Sequence, residues 1–488
     1  MAVRALRRGI SFGEMAIGVL FVAVALRAAL MPTQSDTFWH LRTGADILRS
    51  WQVPRVDTYS FTAFGWPWRN HEWLWQPLSY ACYSVGRMPL LVACAAAFVV
   101  AAQAISYRLS VGPVMTRALL LAAGLPLSMT VWAVRPHLVT LLAVPLLASC
   151  LVRERLWPIP LLFVVWANAH GGVALGGVIL AVATGIALLR WRARGTPEDR
   201  RRALALAVVL PLSGLACFVT PLGTGILHFL SDSMARIGAV GISEWQPASP
   251  TSPFAAVFWI IALAFLVLVV KRRRALRDGH ASSWADWVTV GGALTLMPLA
   301  FAAMRNVAPF LLLAVPAASR LLGPHATLRL ASRRSSAAAG SAEHPLINLG
   351  LLVAVAAVAL ALVVADYWRK PPDWLPIDGR ALAAIRSCDG PLYNHYDEGG
   401  FLIWSVPEKP VFIDSRQDPY PLPHMLAALA VERGQAPYRP LFERWGIRCV
   451  FLANGSPTVE ALRRDGWLTR YRDDKWTVFS ASASAAAR

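Results

Sequence analysis

From residue 14 to residue 366 the chain runs again and again through about 16 to 22 apolar residues before a charge interrupts it. That is close to the ~20 residues an α-helix needs to cross a bilayer. Of 488 residues 56% are hydrophobic and 15% charged, and the mean hydropathy is +0.48. A water-soluble fold of this length could not bury so much apolar surface. The pattern predicts a multi-pass α-helical membrane protein with about eleven transmembrane helices. It leaves room for as many as 13, because 76–107 is long for one helix and "GRMP" at 86–89 reads as a turn. The first apolar run has no small-residue cleavage site after it and reads as a retained helix.

The net charge of +19 does not point to nucleic acid. Its arginines sit in short clusters between apolar runs, at 190–202, 271–277 and 320–334 and in "RALRR" near the start, which is the positive-inside pattern. Placing these clusters in the cytoplasm puts the N-terminus there too. The loop 33–75, "RPH" at 135–137, "NAHGG" at 168–172, "SEWQP" at 243–247, "MRN" at 304–306 and everything after 366 then share the opposite side.

Residues 1–366 therefore read as a transmembrane domain with a large first loop at 33–75. Residues 367–480 read as a small soluble α/β domain, and 481–488 as a disordered tail. In the small domain, Leu392–Tyr393, Phe401–Trp404 and Val411–Ile413 read as strands, 421–433 as a helix, and "CVFLA" at 449–453 as a buried strand. The segment 333–344 reads as a flexible linker. The six cysteines make no metal-ligand spacing. Four lie in apolar runs, whereas Cys388 and Cys449 share the polar domain and can pair if it is extracytoplasmic.

The first loop carries both charge signs and six tryptophans: Trp39, Trp51, Trp66, Trp68, Trp73 and Trp75. That composition suggests interfacial helices, one over "TFWHLRTGADILRSW" and a second over "WRNHEWLWQPL", separated by a turn at "RVDTYSFT". Trp51, Trp66 and Trp68 are read as headgroup anchors, and Arg42 and Asp46, four apart, as a surface ion pair. Asp36 reads either as the N-cap of the first helix or as a functional carboxylate. Ionisable groups at membrane depth are costly and usually functional. Arg135, His137, His170 and Arg305 stand out for that reason, although a snorkelling helix-end arginine or a turn-capping histidine is the plain alternative.

The order "DTFWHLRTG", "VPRVDTYSFT", "HEWLWQPL", "VRPHLVTLL", "WANAHGG", "EWQP", "RNVAPF" and "NHYDEGGFLIW…VFIDSRQD" resembles a family of bacterial integral membrane glycosyltransferases of the GT-C class, and does so over nearly the whole chain. The resemblance implies a GT-C-like fold with its small α/β domain in the periplasm and the whole protein in the bacterial inner membrane. It also implies transfer of a sugar from a polyprenyl-phosphate-linked donor to a lipid, glycan or protein acceptor. Asp36 matches the class's catalytic carboxylate. His40, Arg135, His137, His170 and Arg305 are then donor-phosphate candidates, because a guanidinium fork binds phosphate oxygens in pairs.

Glu244, Asp57, Glu72, Asp397, Asp414 and Arg416 remain acceptor or metal candidates, with a divalent cation such as Mg or Mn conceivable through a loose likeness to oligosaccharyltransferases. Asp397, Asp414 and Arg416 read equally well as structural supports of a Gly-rich turn. Asp36, His40, Arg135, His137, His170, Glu244 and Arg305 are expected to line one cavity at the outer membrane surface. The rival readings are a lipid or polysaccharide transporter, for which charges near the bilayer midplane are expected, and an inactive GT-C scaffold.

Overall fold

The computed structural model describes residues 9–241, 243–277, 283–323 and 344–482. The linker expected at 333–344 and the tail at 481–488 lie almost wholly outside the described residues. Two compact units emerge. A helical unit comprises Met1–Pro32, Val92–Thr220 and Ser243–Arg369, and a mixed unit comprises Thr33–Leu91, Pro221–Ile242 and Lys370–Arg488.

The helical unit contains α1 (Phe12–Ala29), most of α3 (Trp75–Leu109), α4 (Val114–Ser128), α5 (His137–Val152), α6 (Ile159–Ala169), α7 (Val173–Arg194) and α8 (Pro197–Ala216). It continues with α10 (Pro253–Arg277), α11 (Trp284–Ala302), α12 (Val307–Leu322) and α13 (Pro345–Arg369). Among the described residues, seven helices are long and apolar enough to cross a membrane, and the chain is a multi-pass α-helical membrane protein. Helix α12 packs against α4, α5, α10 and α11. Apolar nearly all round, from Val307 to Leu321, it is buried nearly all round, as such a helix must be. Helix α13 is the reverse case: among its apolar residues only Ala359 is buried, and such an apolar but uncovered surface suits lipid. It packs on α1, where the Tyr367 hydroxyl donates to the Ala29 carbonyl at 2.8 Å.

Helix α3 is broken at Gly86 (φ −132°) and Arg87 (φ 55°), as "GRMP" implies. The unit boundary falls a few residues on, between Leu91 and Val92.

The mixed unit gathers the first loop, with α2 (Ser35–Ser50), and α9 (Gly225–Val240) around the C-terminal residues. Those form α14 (Gly379–Arg386), β1 (Leu392–Asn394), α15 (Gly399–Ser405), α16 (Leu422–Glu432), α17 (Arg439–Trp445), β2 (Cys449–Ala453), α18 (Pro457–Arg464), β3 (Leu468–Arg472) and β4 (Trp476–Ser480). The sheet order is β1-β2-β4-β3, with β1 parallel to β2 and the other pairs antiparallel. Cys388 and Cys449 form a disulfide, with Cα atoms 5.8 Å apart.

Four local expectations fail here. Residues 399–405 are helix rather than strand, because two glycines let α15 press onto neighbouring backbone. A Cβ at Gly400 would lie 2.3 Å from the Ser35 carbonyl oxygen, and one at Gly399 would lie 2.4 Å from that of Ile413. Val411 makes only an isolated bridge to Ser60. Residues 68–70 are irregular and 71–74 turn, so the second helix of the first loop begins only at Trp75. Trp68 is no headgroup anchor: it is buried, packed against the Arg416 guanidinium. Trp51 and Trp66 are exposed.

Candidate functional site

In the helical unit, successive reversals of the chain collect five of the expected residues at one end of the bundle. Arg135 precedes α5 and His137 opens it, His170 lies between α6 and α7, Arg305 lies between α11 and α12, and Glu244 precedes α10. The loop holding Glu244 is pinned by backbone bonds from Ala248 to Phe301 (3.0 Å) and from Met304 to Gln246 (3.1 Å).

Glu244 ties the two arginines together. Arg135 Nη2 is 2.7 Å from Oε2, and Arg305 Nη1 is 3.5 Å from Oε1. Burial opposes ionisation of Glu244, but Arg135 and then Arg305 outweigh it and hold the carboxyl below its ordinary range. Two guanidiniums thus meet at one carboxylate. All three side chains keep 18–27% of their surface exposed, so the group is open to solvent on one side. Trp245 lies under the Arg305 guanidinium, 4.2 Å from ring centroid to Cζ.

His170 is oriented from both sides. Its Nδ1 lies 2.7 Å from Thr140 Oγ1, and Thr140 in turn accepts from Trp166 Nε1 at 2.8 Å. Its Nε2 meets Arg305 Nη2 at 3.2 Å. Nδ1 also accepts from the Gly172 N–H at 3.1 Å. The "GG" after His170 has a steric reason: a Cβ at Gly172 would lie 2.2 Å from Thr140 Oγ1. His137 is buried and donates to the Val131 carbonyl, a positioning role rather than an exposed contact.

The mixed unit holds the remaining candidates. Asp36 is not the N-cap of α2; that place belongs to Gln34, and Asp36 lies in the first turn, where the helix dipole favours an anion. Its Oδ1 accepts from Trp39 Nε1 at 3.2 Å and from the Ser415 hydroxyl. His40 is buried, stacked on Trp39 at 3.6 Å, with Nε2 3.6 Å from Glu72. Glu72 also lies 3.6 Å from His71. Asp46 pairs with Arg42 at 3.0 Å, as their spacing implies.

Asp57, Asp414 and Arg416 form a closed network. Arg416 has no exposed side-chain surface and lies 2.6 Å from Asp57 and 2.6 Å from Asp414. Tyr420 donates to Asp414 at 2.6 Å, and Ser60 donates to Asp57. This is structural work, and it fixes Ser415 beside Asp36. Asp397 is exposed at the start of α15. Ser415 and Thr140 were not singled out from sequence, although both lie inside stretches that carry the resemblance, "VFIDSRQD" and "VRPHLVTLL".

No three His, Cys, Asp or Glu side chains among the described residues group so as to hold a metal ion. Glu244 is engaged by arginines and Asp57 and Asp414 by Arg416. These three carboxylates are thus taken up by guanidiniums rather than open to a cation.

No family model and no curated protein matches the sequence. Solved structures do match. ArnT from Cupriavidus metallidurans in the apo state is 15% identical, with 96% of this chain and 98% of that one covered at a TM-score of 0.52. The archaeal oligosaccharyltransferase AglB from Archaeoglobus fulgidus, in complex with an inhibitory peptide and a dolichol-phosphate, is 12% identical. There 90% of this chain and 69% of that one are covered at a TM-score of 0.53. Both are GT-C class glycosyltransferases. This chain has the GT-C fold. At such identities the likeness is one of fold, and the chemistry has to come from the residues.

Proposed function

We propose that this GT-C-fold protein is a membrane glycosyltransferase that takes a sugar from a polyprenyl-phosphate-linked donor and passes it to a lipid, glycan or protein acceptor. The carrying observation is the Arg135–Glu244–Arg305 group with His170. It places two partly exposed guanidiniums side by side at one end of an apolar bundle, where the phosphate of a membrane-embedded donor would arrive. The dolichol-phosphate bound to AglB supports the donor class.

In this reading the acceptor oxygen attacks the anomeric carbon and its proton passes to the Asp36 carboxylate. The bond from anomeric carbon to phosphate oxygen breaks with inversion, and its electron pair leaves with the polyprenyl phosphate. Arg135 and Arg305 stabilise the charge that grows on those oxygens, a preorganised role that needs no movement at the moment of reaction. Trp39 and Ser415 hold Asp36 in one orientation. A bacterial inner membrane is the location in this reading, because a polyprenyl-phosphate donor is available there.

The test is transfer of labelled sugar from a polyprenyl-phosphate donor by the purified protein and by Asp36→Asn, which keeps the shape and removes the charge. The expected loss is roughly 10²-fold or more, the scale of a general base, with unchanged folding in detergent. Near-wild-type turnover by the variant would sink the catalytic role. Absence of any transfer, alongside lipid movement across proteoliposomes, would favour a transporter instead.

A further inference from the structure

At the other end of the helical unit, about 24 Å along α5 from His137 at ~1.5 Å per residue, the structure forms a cavity of ≈ 540 Å³. That volume falls within the ~300–1,000 Å³ of small-ligand sites. Arg108 from the end of α3 and Arg153 and Arg155 from the α5–α6 turn line it, with Ile105, Leu109 and Trp157.

Arginines are common at this end of the bundle, and three of them are paired with carboxylates. Arg202 pairs with Glu154 at 2.7 Å and with Asp199 at 2.9 Å, Arg190 lies 3.4 Å from Asp199, and Arg320 lies 3.2 Å from Asp286. Arg108, Arg153 and Arg155 make no ion pair among the described residues.

The turn that builds the cavity explains the difference. Glu154 adopts a left-handed φ of 55°, a conformation non-glycine residues enter only when their surroundings impose it. The turn is closed by the bond from Arg155 N–H to the Cys150 carbonyl at 2.9 Å. Arg153 and Arg155 line the cavity while Glu154, between them, pairs with Arg202. The acidic residue nearest in sequence is thus taken away from its two neighbours. Trp157, 80% exposed at the rim, is the residue type favoured at the headgroup level, and the remaining walls are apolar apart from Ser149.

We propose that this cavity binds the phosphate headgroup of an anionic phospholipid from the adjoining leaflet, with the guanidiniums on the phosphate oxygens and the lipid chains on the apolar helix surface. The occupant is a lipid rather than a soluble anion because the cavity combines concentrated, uncompensated charge with apolar walls and a rim tryptophan. Nothing in this depends on whether the protein transfers sugar.

Native mass spectrometry of the full chain with equal phosphatidylglycerol and phosphatidylcholine tests it. The wild type should retain phosphatidylglycerol preferentially. Each Arg→Gln change at 108, 153 or 155 should cut that preference about fivefold, the scale of one basic residue at an anionic lipid surface. The triple variant should abolish it. Equal charge loss outside the cavity, in Arg192→Gln/Arg200→Gln/Arg201→Gln, should leave the preference intact. Three results overturn the proposal: no preference in the wild type, an equal fall in the outside variant, or full displacement of lipid by inorganic phosphate.

Discussion

Two arginine–carboxylate groups in this protein use the same chemistry for opposite ends. In the mixed unit, Arg416 lies between Asp57 and Asp414 with no surface left exposed, and Tyr420 and Ser60 take up further lone pairs. Negative charge is in slight excess, every partner is internal, and no ligand could enter without breaking the fold. In the helical unit, Arg135 and Arg305 share one carboxylate and remain partly exposed. Two cations converge there, and His170 meets one of the guanidiniums. A fully buried group specifies structure, whereas a partly exposed one can bind.

The sharpest way to break this contrast is to remove the cation from the closed group. Arg416→Met leaves two carboxylates buried without a counter-ion, which costs about 3–5 kcal/mol. The mixed unit should fail to fold or become protease-sensitive at ordinary temperature. A variant that melts like the wild type would show that the network carries little stability.

The same change in the open group should separate the two roles. Arg305→Met removes a charge-assisted contact that is partly solvated, so thermal unfolding should stay close to wild type. Sugar transfer should fall roughly 10- to 100-fold, the equivalent of losing ~1.5–3 kcal/mol for a hydrogen bond to a charged group. Loss of folding together with loss of transfer would make this arginine structural as well. Glu244→Gln tests the other half of the group. It releases both guanidiniums from their carboxylate, so the donor's KM should fall by up to roughly tenfold. A rise in KM would mean that Glu244 positions the arginines more than it competes with the phosphate.

How much of this was legible in the sequence depends on the kind of information each feature carries. Helix crossings are written in run length, so the multi-pass fold was readable. The gathering of Arg135, His137, His170, Glu244 and Arg305 at one end of the bundle followed from counting reversals of direction. Burial is not written that way. Asp57, Asp414 and Arg416 look like any charged loop residues until Arg416, 359 positions after Asp57, closes the network. Residues 399–405 were misread because "FLIW" is as apolar as a strand, and the reason for a helix there, backbone contact at Gly399 and Gly400, lies in other segments. Ser415 shows the same limit: a serine's importance comes from which carboxylate it faces, and only the fold supplies Asp36.

The smallest expected effect compares two acids rather than two bases. Glu244 is held below its ordinary range by arginines, whereas in the mixed unit burial, and then the nearby Asp397 and Glu432, push the Glu398 carboxyl up to about 8. Glu432 cannot relieve it, being held by His395 at 3.2 Å and by the Tyr396 N–H at 3.0 Å. An unfolded glutamate titrates near 4.5, so between about pH 4.5 and 8 the folded state holds a proton that the unfolded state has lost. Stability must then fall as pH rises across that window, with the contribution of Glu398 fully present below it and lost above. Glu398→Gln stays neutral throughout. The difference in Tm between variant and wild type should therefore be small at pH 5 and should grow in favour of the variant up to pH 8–9, while the titrations common to both proteins cancel. A flat difference across that range would mean the carboxyl is already ionised at neutral pH and stabilised by a contact not seen here, and the contrast with Glu244 would vanish.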